Sequence, residues 1–185
     1  MPEHMAESSA LLSRRQSEVL YRHLSTPVQH GVRATGFDST RERWATDRSD
    51  DLDTLYTADQ NPGTGFAWTL DIEHTDSHSV APGVLVPMIG QECSADEVQE
   101  LAWAFGWDYL DDVLRAVRSL PRRSSLGPVE FLVLVVRQSG AADASRAELE
   151  LSRERVEATA DIVEQKLDRA RETVLLADRL EAGFE

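Results

Sequence analysis

Lysine is almost missing from this 185-residue chain: Lys166 stands alone beside 18 arginines. Acidic residues outnumber basic ones 33 to 19, for a formal net charge of −14. The excess runs the length of the chain, and no segment forms a basic arm. A nucleic-acid-binding arm needs dense Arg and Lys to displace condensed counterions, so nucleic acid is not an expected partner. Many carboxylates with arginine in place of lysine is the composition of halophilic proteins from GC-rich genomes. There a carboxylate surface keeps the chain soluble while salt screens its self-repulsion. Codon bias in a GC-rich bacterium gives the same exchange of Arg for Lys.

Cysteine is equally scarce. Cys93 is alone, which excludes a disulfide within the chain and any cysteine-based zinc knuckle. A lone thiol becomes a nucleophile only beside a histidine in electropositive surroundings, so Cys93 reads as buried and inert. The chain has no G-x-S-x-G elbow, no P-loop and no G-x-G-x-x-G. Gly63-Thr64-Gly65 precedes a strand pattern rather than following one, and reads as a turn. Long apolar runs are missing too. The most apolar stretch, Val129 to Val136, is broken by Glu130 and far too short to span a bilayer. Met1 to Ala10 carries Glu3 and Glu7 and lacks the apolar core of a secretory signal. The expectation is a cytoplasmic protein, or a virion component, with no membrane contact.

What is present is strong local patterning. Ser13 and Gln16 form a capping box ahead of Val19, Leu20 and Leu24, predicting a helix from Arg14 to Leu24 that Pro27 ends. Residues 29–63 are rich in Asp, Thr, Arg and Ser, and predict only a short helix at Asp50 to Ala58. Phe66, Trp68, Leu70 and Ile72 alternate with polar or small residues, the period of a strand with one wet face. Val84 to Val86, flanked by Pro82 and Pro87, suggests an edge strand. Ser94 and Glu97 open a helical pattern that runs to Leu120, with Gly106 as a point of division. Val129 and Phe131 to Val136 read as a central strand buried on both faces. The predicted fold is therefore α+β: a small, mostly antiparallel sheet of about three strands, packed helices, and a long C-terminal amphipathic helix. The predicted division is a globular domain over 1–142 and the helix over 143–185.

Two clusters carry residue types suited to chemistry. His74, Asp76 and His78, beside Asp71 and Glu73, place carboxylates and imidazoles close enough for a divalent cation, but in the spacing of a solvated turn. Ala95 to Val117 resembles a helix-turn-helix in outline, with Ala102 and Gly106 spaced like that motif's paired small residues. Its second helix would open Trp107-Asp108-Tyr109-Leu110-Asp111-Asp112, setting aspartates against phosphates. Neither catalytic residues nor a cofactor are expected.

The tail is the most regular segment. Ser145 and Glu148 form a third capping box, predicting a helix from Arg146 to Ala182 with Gly183 as its stop. Leu149, Val156, Ala160, Val163, Leu167, Ala170, Val174 and Ala177 recur in a three-four heptad repeat suited to a coiled coil, with Arg153 its one polar intrusion. Leu151, Ile162, Leu175, Leu176 and Leu180 widen that stripe. Such a helix is longer than its own domain can cover, so these residues are predicted to meet a protein partner or a second copy. The function expected is that of a non-catalytic structural subunit of a larger assembly, such as a virion connector or tail-associated protein. A dimeric helix-turn-helix transcription regulator is the second reading, and a small metal-dependent enzyme the third. On the first reading Val163→Asp dissociates the oligomer and leaves the domain folded.

Overall fold

A computed structural model describes residues 11–60, 95–140 and 148–182. Among them there are six α-helices and no strand: α1 (Arg14–His23), α2 (Thr26–Asp47), α3 (Ser49–Gln60), α4 (Ala95–Ser119), α5 (Pro128–Gln138) and α6 (Arg153–Ala182). A 3₁₀ turn, Leu120–Arg123, follows α4. The α+β expectation is overturned. The segment read as a central strand is α5. Its start was legible: Pro128 sits where a missing N–H costs nothing, and the Glu130 carboxylate accepts from Gly127 N at 2.8 Å. Leu132, Val133 and Val136 are its buried residues, at helical spacing. A helix with neighbours on two sides is apolar nearly all round, so the run looks like a doubly buried strand. The proposed strands at 66–72 and 84–86 lie outside the described residues.

The chain divides into two compact units, Met1–Leu24 with Arg118–Glu185, and Ser25–Val117. Residue 142, the boundary expected from sequence, falls inside the first unit, which also contains α6.

In the first unit α5 packs against both α1 and α6. The Ser13–Gln16 capping box forms: Ser13 Oγ accepts from Gln16 N at 3.1 Å, and Gln16 Oε1 accepts from Ser13 N at 3.0 Å. Val19, Leu20, Leu132, Val133, Leu149, Val156, Ala160 and Val163 form the core. Gln16 Nε2 donates to the Leu149 carbonyl at 2.9 Å, Arg22 meets Glu148 at 3.1 Å, and Arg118 Nε donates to Ser17 Oγ at 2.9 Å.

In the second unit α2 presents Val32, Gly36, Thr40 and Trp44 as buried residues, each four after the last. This single ridge bears on α4. A Cβ on Gly36 would lie 2.8 Å from Val113 N and 2.9 Å from Val113 Cα, so glycine lets the two backbones close up. Phe37 meets Phe105 and Tyr109 at ring-centroid distances of 5.8 and 6.0 Å, and Trp44 meets Phe105 edge-on at 5.2 Å. Leu52 and Leu55 bring α3 into this core. Pro27 begins α2 rather than merely ending α1, because its fixed φ suits a first helical turn.

Candidate interaction surface

The C-terminal helix begins at Arg153, later than the expected Arg146, with Ser152 Oγ accepting from Arg155 N at 3.2 Å. Ser145 lies outside the described residues. Leu149 precedes α6 and is buried in the core, near Glu150, whose φ of 55° is left-handed. Val156, Ala160 and Val163 are buried, and α6 packs on α5. Two ion pairs close this contact: Lys166 Nζ to Glu130 at 2.6 Å and Arg137 to Glu164 at 3.1 Å.

Lys166 marks a change. α5 has 11 residues and α6 has 30, about 16 Å against about 45 Å at 1.5 Å per residue. Beyond Lys166 the described side-chain hydrogen bonds stay within the helix: Arg171 donates to Asp168 at 3.0 Å, and Thr173 to the Arg169 carbonyl at 2.8 Å. Leu167 is half-buried, and every residue from Asp168 to Ala182 is exposed, Ala170 and Val174 included. Val174 is 59% exposed, Leu175 56%, Leu176 58% and Leu180 57%. Four large apolar side chains within seven residues point to more than one side of this helix, the pattern of a helix with neighbours. Of the residues proposed from the heptad, Leu149, Val156, Ala160 and Val163 are thus in the chain's own core, while Ala170, Val174 and Ala177 are open.

The other sequence candidates fare differently. His74, Asp76, His78 and Cys93 lie outside the described residues, and among those described no group of three His, Cys, Asp or Glu is placed to hold a metal ion. The helix-turn-helix outline does not form, because α4 runs unbroken through Gly106. Asp111 is exposed, while Asp108 and Asp112 face α2 instead. Trp44 Nε1 donates to Asp108 Oδ2 at 2.7 Å, and Thr40 Oγ1 donates to Asp112 Oδ2 at 2.8 Å. Arg43 Nη1 reaches both Asp112 oxygens, at 3.0 and 3.2 Å, and Arg115 also pairs with Asp112. Burial disfavours the Arg43 cation, but the hydrogen bonds and charge of Asp112, with Asp108 behind it, outweigh that and raise its pKa. Both oxygens of Asp112 are engaged, so this carboxylate ties α2 to α4. Sequence reasoning missed it; Thr40 and Arg43 three apart on α2, and Asp108 and Asp112 four apart on α4, were the signal.

A cavity of about 350 Å³ in the first unit is lined by Arg118, Pro121, Arg122, Ser124 and Leu126 among others. Arg118 is held by Ser17, Ser124 Oγ donates to the Pro121 carbonyl at 2.9 Å, and the described lining residues include no carboxylate or imidazole. No described helix is long and apolar enough to cross a membrane. Comparison of the chain with family models, curated proteins and solved structures gives no match.

Proposed function

We propose that the chain is a non-catalytic subunit of a protein assembly, joined to its neighbours through the distal half of α6. The observation that carries this is the break at Lys166: one helix face is buried upstream and bare downstream. Residues 168–182 extend about 22 Å past the α5 contact with their apolar side chains in water. Water around Val174, Leu175, Leu176 and Leu180 is the unfavourable term that a neighbouring protein surface removes, at about 25 cal/mol per Å² buried.

The substitution that tests this is Val174→Asp. Val163→Asp is unsuited, because Val163 is buried against α5 and a carboxylate there would unfold the first unit. Light scattering on the full chain is expected to show a mass above the 20.6 kDa of one copy. Val174→Asp is expected to lower that mass with far-UV circular dichroism unchanged. An equal mass for both proteins overturns the reading.

A further inference from the structure

We infer that the first occupant of distal α6 is a second copy of this chain, lying antiparallel to it; this rests on the assembly reading above and specifies its partner. Charge favours it. Two copies, each at −14, repel over most of their surfaces. Residues 168–182 hold four acids and three bases, a local charge of 3 − 4 = −1, so here two copies meet with little repulsion.

The order of those charges selects a direction. With Leu167 and Val174 at position a and Ala170 and Ala177 at d, Arg171 and Asp178 fall at e, and Lys166, Thr173 and Leu180 at g. A parallel pair sets each g residue beside the e residue of the next heptad on the other helix. That places Lys166, already held by Glu130 of its own α5, beside the second copy's Arg171, so Arg171 gains no carboxylate at either of two symmetric positions. An antiparallel pair joins the two e edges instead. With Val174 over the second copy's Ala177, Arg171 faces the second copy's Asp178, and the two-fold repeats the pairing in reverse. Alanine at both d positions lets the backbones come close, and Leu180 and Thr173 close the other flank. Arg171 gives up little to do this, since its present bond to Asp168 joins side chains that are 73% and 69% exposed. Leu175 and Leu176 remain on the outer side of such a pair, available to other members of the assembly.

The test is a charge swap read by sedimentation equilibrium of the full chain at low salt, where surface charges are least screened. Arg171→Asp sets two carboxylates face to face at both positions, and Asp178→Arg sets two guanidiniums there. Each alone is expected to weaken self-association about tenfold, about 1.4 kcal/mol over two symmetric pairs, and the double variant to restore it to within about threefold. Circular dichroism of each variant checks that α6 stays helical. If Arg171→Asp tightens association, the pair is parallel and the inference is wrong. If the swaps have no effect while Val174→Asp still lowers the mass, the antiparallel second copy is wrong and the assembly reading stands. If Val174→Asp also leaves the mass unchanged, both fall.

Discussion

The contact of α5 with α6 and the contact of α2 with α4 are solved by opposite means. In the first, Leu132, Val133 and Val136 of α5 and Val156, Ala160 and Val163 of α6 are buried, and the ion pairs Lys166–Glu130 and Arg137–Glu164 sit at the partly open edge. In the second, a glycine, a threonine and a buried aspartate lie at the centre, with aromatic rings beside them. Apolar area drives the first and is indifferent to small shifts, because dispersion and burial have no direction. The second depends on hydrogen bonds that exist in one register only: Thr40 and Arg43 must stand opposite Asp112, and Trp44 opposite Asp108. The lesson is that a helix can belong to a core without being apolar, provided it brings its backbone close and satisfies every polar group it buries.

The contrast is broken most sharply by Asp112→Ala. The carboxylate is 1% exposed and accepts from Thr40, Arg43 and Arg115. Its removal leaves Thr40 with only the Gly36 carbonyl, at 2.9 Å, and Arg43 with only the more exposed Asp108, at 3.5 Å. Breaking one side of a buried pair costs about 3–5 kcal/mol, and Arg43, at 37% exposure, regains some water, which puts the expected loss at the lower end. All four tryptophans lie within Ser25–Val117, so urea unfolding followed by tryptophan fluorescence reads this unit. A midpoint equal to that of the parent protein would show that the network contributes nothing net.

Gly36→Ala is the next largest. On an exposed helix the change would gain up to about 1 kcal/mol of helix propensity. Here the added methyl would meet main-chain atoms of Val113 at 2.8 and 2.9 Å, and no rotamer change can move a backbone away. Overpacking of this kind costs about 1–3 kcal/mol, which outweighs the propensity gain. The same fluorescence titration is expected to show net destabilisation; a more stable variant would mean the helices are free to part.

These two contacts also explain what could be read in the sequence. Residues that act on their near neighbours were legible: the Ser13–Gln16 box, the acidic start of α3, and the amphipathic period of α4 and α6. What failed depended on partners distant in the chain. Residues 29–47 looked featureless because α2 buries Gly36 and Thr40, whose suitability is visible only beside Val113 and Asp112. Val129–Val136 looked like a strand because β-branched residues favour strands when nothing else decides, and tertiary packing on two sides overrode that preference. On α6 the heptad marked the face that buries Val156, Ala160 and Val163, and could not tell where α5 stops covering it. That point is set by a length difference between two helices, one of which had been read as a strand.

The smallest expected effect lies at the rim of the apolar unit. His23 closes α1, with Nδ1 2.9 Å from Ser139 Oγ after α5, and Arg22 beside it pairs with Glu148. Burial disfavours the imidazolium and the Arg22 charge adds to that, with Glu148 offsetting part, so the His23 pKa lies below its ordinary 6.5. The unfolded chain then takes up its proton at a higher pH than the folded one. Above about pH 6.5 both forms are neutral and the histidine adds no pH dependence. As pH falls from 6.5 toward the lowered folded pKa, the unfolded state gains protons first and stability declines. Other ionisable groups can add their own slope as the pH falls, so the informative quantity is a difference. His23→Gln keeps a polar side chain that does not titrate here, and is expected to lose less stability than the parent between pH 7.5 and pH 5.5, in urea unfolding followed by circular dichroism. Parallel pH profiles would mean that the imidazole at this rim is as well solvated in the fold as out of it. In that case the difference between the two contacts would be wider still, with the imidazole at the apolar unit's rim contributing nothing to folding while the polar groups around Asp112 hold theirs in register.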